Sequence, residues 1–207
     1  MNRPRIHRAA LEPALQAAIE RTTIPGVIPR MLNLGCGSDT RARFINGDLH
    51  FVDGIDIQLD ASAASLPFAN NSFEIILMKD LLEHVDPVLL LSESYRTLAP
   101  SGRLIIQSVH FTSRNLFVDP THRAAFSSRT FDFFCRDGLY AHRSYYFDFV
   151  FSSLEMMFIE FHKGRYLLPD HLVERLVNLT RRVQDSYELT GVSRLFPAEN
   201  VVAVLRK

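Results

Sequence analysis

The sequence has no tryptophan and only two cysteines, Cys36 and Cys135, which lie far apart in the chain. Neither cysteine belongs to a Cys-x-x-Cys or Cys/His pattern, so the spacing does not indicate a zinc site. A single pair also cannot form the disulfide framework of a small secreted domain. The cysteine content therefore predicts a reducing, cytoplasmic location.

An excess of charge of either sign is also missing. Lysine plus arginine and aspartate plus glutamate number 23 each. This balance argues against a surface built to neutralise a phosphate backbone, so we expect no nucleic-acid partner. Apolar runs are too short to span a bilayer, and the N-terminal segment lacks the unbroken apolar core of a signal peptide. At 207 residues, of which 47% are hydrophobic, the sequence predicts one well-buried domain over 1–207.

Short apolar runs that alternate with turns and helical stretches predict a mainly parallel α/β sheet with both faces covered. The candidate strands are 27–34, 43–49, 54–59, 72–78, 103–109, 145–151 and 201–205. Helical spacing marks a short N-terminal helix at about 9–21, and further stretches at 86–98 and 172–187. An irregular, phenylalanine-rich insertion covers about 111–144. Phe126, Phe131, Phe133 and Phe134 could form a lid over a substrate or, more commonly for such a run, pack in the core.

A glycine pair, Gly35 and Gly37, directly follows the first apolar run in the segment MLNLGCGS. Glycines at this point allow a tight turn and a close approach of the backbone to a ligand, although such a pair also occurs in turns that bind nothing. A phosphate-binding loop would continue to a third glycine and into a helix. Here Ser38 and Asp39 follow instead. The loop therefore favours a ligand without phosphate over a dinucleotide.

Six segments in fixed order share a family pattern: LNLGCG, INGD, LDA…LPF, NNSFEII, LLEHV and LAPSGRLII. Together they resemble the class I S-adenosylmethionine-dependent methyltransferases, and most closely the type-11 group. The resemblance is close over 31–109, and the later DPTH segment and the terminal run 197–205 are also similar. It implies a Rossmann-like, doubly wound, mainly parallel sheet of seven strands with an antiparallel last strand. It also implies S-adenosylmethionine as the cofactor.

The resemblance assigns cofactor contacts to residues that follow the first four strands: Asn33, Gly35, Cys36, Gly37, Asp48, Asp60, Ala61 and Lys79. The glycine loop would line the methionine part of the cofactor, Asp48 would accept from the ribose hydroxyls, and the Asp60–Ala61 pair would face the adenine. Lys79 would contact the cofactor mainly through its backbone.

Two residues and one interval depart from the family pattern. Asn33 stands where an acidic residue is usual, and Ser101 replaces the first glycine of a Pro-Gly-Gly turn. The interval from Gly37 to Asp48 is eleven residues, whereas the dinucleotide fingerprint has roughly 20. Asp56 is therefore a rival ribose ligand. We prefer Asp48, because choosing Asp56 leaves four residues before Asp60 and removes a strand.

Methyl transfer from a sulfonium mainly requires positioning and exclusion of water, and a general base helps only for a hydroxyl or protonated amine acceptor. The candidate catalytic residues are His84 and His122, with Asp119 placed to orient His122. Each histidine also has a structural explanation. For His84, a Glu-His pair at this place is a familiar structural feature of the fold that the chain resembles. For His122, the alternative is an Asx-type turn with a histidine on the surface. His84, Asp119 and His122 are residue types that can bind a metal ion, but their spacing in the sequence does not match a known metal-binding pattern. We therefore expect no metal site.

The sequence therefore predicts a methyltransferase that acts on a small-molecule or a lipid- or saccharide-linked acceptor. Two alternatives remain at this point. One is a protein that binds S-adenosylmethionine without turnover, because no residue type is demanded by the chemistry alone. The other is a nicotinamide-dependent oxidoreductase, which should show a third loop glycine.

Overall fold

The computed structural model describes residues 10–22, 30–162 and 168–207. Within them, seven strands form one sheet in the order β3-β2-β1-β4-β5-β7-β6. The strands are β1 Met31–Leu34, β2 Phe44–Asp48, β3 Ile57–Gln58, β4 Phe73–Lys79, β5 Leu98–Val109, β6 Ser153–Phe161 and β7 Ala198–Arg206.

Strand directions in the sheet match the expectation. β1 pairs in parallel with β2 and β4, and β4 pairs in parallel with β5. β7 runs antiparallel to both β5 and β6. The strand order reverses between β1 and β4, and ligands of open α/β sheets bind at the carboxyl ends of the strands beside such a point. The predicted Rossmann-like sheet with an antiparallel last strand is confirmed.

Six α-helices occur in the described residues: α1 Leu11–Thr22, α2 Pro87–Thr97, α3 Asn115–Val118, α4 Leu168–Val177, α5 Arg181–Leu189 and α6 Val192–Leu195. α2 begins where the sequence predicts, because the Asp86 carboxylate accepts from the N–H groups of Val88 and Leu89, and Pro87 occupies the first helical position. Three 3₁₀ helices lie at Leu82–His84, Thr130–Phe134 and Ala141–Tyr146. No helix among the described residues is long and apolar enough to cross a membrane.

Alternate residues of the central strands face opposite sides of the sheet, as extended backbone requires. On one side, Ile75 and Leu77 pack against the apolar face of α1. On the other side, Ile76 and Met78 belong to a larger core. That core also contains much of the aromatic insertion, in which Phe126, Phe131, Phe134, Phe149 and Phe151 are buried. These rings therefore pack in the core rather than forming a lid.

The candidate strand at 145–151 is wrong. Its first residues belong to the 3₁₀ helix Ala141–Tyr146, and β6 begins later, at Ser153. The alternation arises because Phe147, Phe149 and Phe151 place their rings against the core outside the sheet, where Phe134 contacts the first two. The helical stretch 172–187 is two helices, since Thr180 caps the start of α5. Part of the first candidate strand, 27–29, lies outside the described residues.

Ser101 has a backbone φ of +65°, a left-handed conformation that glycine adopts without a steric penalty. Ser101→Gly should therefore stabilise the protein by about 1 kcal/mol, which raises the melting temperature by about 2–4 °C for a chain of this length. Thermal unfolding followed by circular dichroism measures the change.

The matched control is Gly102→Ala in the same turn. A Cβ at Gly102 would lie 2.9 Å from the Ala99 carbonyl oxygen and 3.0 Å from that of Glu74. This variant should melt at a lower temperature than the wild type. An unchanged melting temperature for Ser101→Gly would contradict the strain argument.

Candidate active site

The glycine loop after β1 is fastened to the end of β2 by its own backbone. The N–H groups of Gly35 and Cys36 donate to the Gly47 carbonyl oxygen at 2.8 and 3.1 Å. The Gly37 N–H donates to Asp48 Oδ2 at 2.8 Å. Gly35 and Gly37 both have positive φ values, +68° and +48°, which this path of the chain requires. Three successive amides are thus used inside the protein, whereas a phosphate-binding loop turns them towards the ligand.

A cavity of about 240 Å³ opens beside this loop, at the carboxyl ends of the strands. Its lining includes Gly35, Asp48, Asp60, Ala61, His84 and Arg123. The structure therefore brings four of the predicted cofactor residues to one side of a single cavity. It places one of the predicted catalytic histidines on the other side.

The geometry separates the two rival ribose ligands. Asp48 lines the cavity, and its two carboxylate oxygens accept from the N–H groups of Gly37 and His50. Each oxygen has a further lone pair, so the carboxylate can still accept from a ligand. Asp56 instead accepts from the backbone and side-chain nitrogens of Asn46 at 2.8 and 3.2 Å. Asp56 thus supports the register of β2, which favours Asp48 as the ligand-facing carboxylate.

Asp60 gives the cavity a second carboxylate. Its Oδ1 accepts from the Ser62 hydroxyl at 2.6 Å and from the Ser62 N–H at 2.8 Å. These hydrogen bonds stabilise the charged form and lower the pKa of Asp60 below its ordinary value. With Asp48 beside it, this end of the cavity suits hydrogen-bond donors and positive charge, and disfavours pyrophosphate.

The other four predicted cofactor residues are not part of the cavity lining: Gly37, whose amide bonds to Asp48, and Asn33, Cys36 and Lys79. Asn33 donates through Nδ2 to the Asp39 carbonyl and to Asn46 Oδ1. The Cys36 thiol is buried, which raises its pKa. Lys79 Nζ lies 3.8 Å from Asp39 Oδ2 and 3.4 Å from the Asp80 carboxylate. Their contacts hold the loop in place, and a direct role in cofactor binding stays a prediction.

The predicted catalytic residues meet at the opposite side of the cavity. The His84 and His122 rings pack edge to face with centroids 4.7 Å apart. Asp119 Oδ1 accepts from the Thr121 hydroxyl at 2.6 Å, and Thr121 Oγ1 lies 2.9 Å from His84 Nδ1. Because the Thr121 hydrogen points to Asp119, its oxygen accepts from His84 Nδ1–H, and the Nε2 lone pair remains available. Asp119 therefore orients His84 through Thr121, whereas the sequence predicted that it pairs with His122.

Glu83 is a buried neighbour of this pair that the sequence analysis missed. Its Oε2 accepts from the Ser108 hydroxyl at 2.5 Å, and burial raises the pKa of the carboxyl. Burial, followed by the neighbouring His122, lowers the pKa of His84. The Nδ1 atom of His122 is buried and has no hydrogen-bond partner within the described part of the chain. A glutamate directly before a candidate histidine, after a strongly apolar strand, was the signal available in the sequence.

Residues 32–106 match the family model Methyltransf_11, a methyltransferase domain. This match covers the glycine loop, Asp48, Asp60 and His84, and it ends before Asp119, Thr121 and His122. Over residues 32–106 the chain is similar to the type-11 methyltransferase domain. This similarity, and a fold shared with S-adenosylmethionine-dependent methyltransferases, implies S-adenosylmethionine as the cofactor. A search of curated proteins finds no significant match to this sequence.

Solved structures share the fold of this chain over nearly its whole length. A SAM-dependent methyltransferase from Archaeoglobus fulgidus is 19% identical, with a TM-score of 0.58 over 97% of this chain and 95% of that one. An S-adenosylmethionine-dependent methyltransferase from Mesorhizobium loti is 13% identical, with a TM-score of 0.50 over 94% and 98%. A structure of a complex with the Haloferax volcanii Trm112 methyltransferase activator matches at 14% identity, with a TM-score of 0.55 over 96% and 91%.

Asp48→Ala should weaken S-adenosylmethionine binding about ten- to a hundredfold, because a carboxylate that accepts from hydroxyl donors contributes about 1.5–3 kcal/mol. The matched variant, Asp56→Ala, removes the two bonds to Asn46 and should lower the melting temperature more than the affinity. Isothermal titration calorimetry and thermal unfolding of both variants separate the two effects. The reverse order of affinities would mean that the ribose ligand is Asp56.

Proposed function

We propose that this chain is a methyltransferase that acts on a small-molecule or a lipid- or saccharide-linked acceptor, which enters the cavity from the His84 side. The observation that carries the proposal is one cavity with two chemically different ends. Asp48 and Asp60 form the acidic end, next to the glycine loop. His84 and Arg123 form the other end, which faces the expected position of the acceptor.

The acidic end fits the cofactor on the geometry of this chain. A Cβ at Gly35 would lie 2.7 Å from Leu81 Cδ1, so a glycine is needed for the loop to pack against Leu81, and both residues line the cavity. Asp48 accepts from the ribose hydroxyls, while Asp60 accepts from the adenine amino group beside Ala61. S-adenosylmethionine supplies a methyl group already activated on a sulfonium.

At the other end, His84 activates the acceptor. Its Nδ1–H is directed to Thr121, so the Nε2 lone pair accepts a proton from an acceptor hydroxyl. Asp119 is a positioning residue that acts through Thr121. Arg123 contributes a positive charge to the same end, which favours an acceptor that carries a carboxylate or phosphate group near the hydroxyl.

The alternative of a binding protein without turnover shares the same acidic end. The hydrogen-bonded series from Asp119 through Thr121 to His84 argues against it, because cofactor binding alone requires no oriented imidazole. A nicotinamide-dependent oxidoreductase is disfavoured because the loop amides are already used by Gly47 and Asp48. Both cysteines are free, in keeping with the expected cytoplasmic location.

The purified protein should bind S-adenosylmethionine and its demethylated product with micromolar-range affinity, and NAD at least about a hundredfold more weakly, a difference of about 2.7 kcal/mol. The reason is that the amides of Gly35, Cys36 and Gly37 already bond within the protein and that two carboxylates line the cavity. Calorimetry with the three ligands tests this directly. Preferential NAD binding would overturn the assignment of the cavity.

His84→Ala should lower the turnover number about a hundred- to ten-thousandfold, the usual contribution of a general base, while the affinity for the cofactor changes little. His122→Ala, which removes the ring packed against His84, should lower turnover as well. Turnover is measured as methyl transfer with an acceptor identified by incubating a metabolite extract with methyl-labelled cofactor. His142→Ala, at an exposed residue outside the cavity, is the control.

Thr121→Val tests the positioning role of Asp119 through Thr121. It removes the hydroxyl between Asp119 and His84, so turnover should fall without a change in the Michaelis constant for the cofactor. Thr121→Ser restores the hydroxyl and should restore turnover. Equal turnover in all three proteins would mean that the hydroxyl only closes the turn.

A further inference from the structure

Three potential metal ligands converge at the histidine end of the cavity. One side-chain ligand atom from each of Glu83, His84 and His122 lies within 4.8 Å of the other two. Glu83 and His84 come from the 3₁₀ helix Leu82–His84 after β4, whereas His122 comes from the segment after β5. Of the three residues, His84 also lines the cavity, so the cluster adjoins it.

The chemistry and size of this set suit a divalent first-row transition metal. Two imidazole nitrogens and one carboxylate oxygen are common ligands of Zn²⁺, Mn²⁺, Fe²⁺ and Co²⁺. Tetrahedral ligands at about 2.1 Å from an ion lie about 3.4 Å from one another. The three ligand atoms lie within 4.8 Å of one another in this structure, so an ion would have to draw them closer together.

Hydrogen bonds from neighbouring residues hold His84 and Glu83 in a fixed orientation, as is usual for metal ligands. His84 donates Nδ1–H to Thr121, which donates to Asp119, and Glu83 accepts from Ser108. Such outer hydrogen bonds fix the tautomer and direction of metal-binding side chains. Glu83 is buried beneath the two rings, at 2% exposure. His122 Nδ1, by contrast, is a buried polar atom with no hydrogen-bond partner within the described residues, which is costly unless a ligand satisfies the ring.

We propose that Glu83, His84 and His122 bind one divalent transition-metal ion, and that this ion holds the acceptor hydroxyl. The inference rests on the proposed function, because it describes how the same end of the cavity activates the acceptor. Three protein ligands leave coordination positions open for an acceptor oxygen. Beside Arg123, the site fits an acceptor that presents a hydroxyl together with a neighbouring anionic group.

The reaction balances without a redox partner. The ion lowers the pKa of the coordinated hydroxyl, and the proton leaves to solvent water. A lone pair of the acceptor oxygen forms the new oxygen–carbon bond, while the carbon–sulfur bond of the sulfonium breaks and its electron pair stays on sulfur. His84 is then an ion ligand, and the ion replaces it as the group that activates the hydroxyl.

The test uses Co²⁺ and Zn²⁺ with the full, untagged chain, without an acceptor. The wild type should bind one equivalent of Co²⁺ with the visible absorption of an ion held by nitrogen and oxygen, and Zn²⁺ should displace it. Glu83→Gln and His122→Ala should each weaken binding at least about tenfold. Glu83→Gln keeps an acceptor for Ser108, and melting temperatures confirm that both variants fold. His142→Ala, at an exposed histidine, should bind like the wild type.

Two results would overturn the inference. One is no saturable binding of either ion by the folded wild type. The other is that Glu83→Gln and His122→Ala both bind the ions as tightly as the wild type does. Measurements of turnover distinguish failure of this inference from failure of the proposed function. If turnover is lost on chelation and restored by the ion, the inference is supported. If turnover is unaffected by chelation but lost in His84→Ala, the inference fails and the proposed function stands. If S-adenosylmethionine does not bind while the ion does, the proposed function fails and the metal site stands.

Discussion

The hydrogen bonds from the glycine loop to the end of β2 determine what this cavity can bind. Gly47 and Asp48 together accept from three successive loop amides, so the loop lies against β2 and these amides are not available to a ligand. Asp56 and Asn46 hold β2 in place from behind. A loop fixed in this way loses its capacity for pyrophosphate, and Asp48 is brought to the cavity by the same bonds.

A comparable backbone link creates the histidine end. The Glu83 carbonyl oxygen accepts from the N–H groups of Arg123 and Ala124 at 2.8 and 3.3 Å. These bonds join the turn after β4 to the segment after β5, two parts of the chain that are distant in sequence. They place His122 against His84 and direct Arg123 to the cavity. The site thus depends on two short backbone connections at the ends of neighbouring strands.

These connections explain how much the sequence could predict. The loop and most of the strands follow from local patterns of hydrophobic runs and glycines, whereas the arrangement of the sheet and the role of Asp48 came from the family resemblance. The contact of Thr121 with His84 and the approach of Glu83 to His122 depend on tertiary contacts between separate segments, which spacing does not encode. The strand predicted at 145–151 failed for a similar reason. Its period-2 pattern reflects rings packed against the core rather than pairing in a sheet.

Both ends of the cavity have an excess of negative charge nearby. The chain as a whole is neutral, with 23 basic and 23 acidic residues, yet the cavity and its immediate surroundings contain more carboxylates than cationic groups. Asp48 and Asp60 line the cofactor end, Glu83 and Asp119 flank the histidines, and Arg123 is the cation of the lining. A sulfonium carries positive charge, and a metal ion bound opposite it would repel it in a site of low dielectric. Carboxylates at both ends of the cavity offset that repulsion. The same negative charge that favours the sulfonium of the cofactor therefore also favours binding of a metal cation near it.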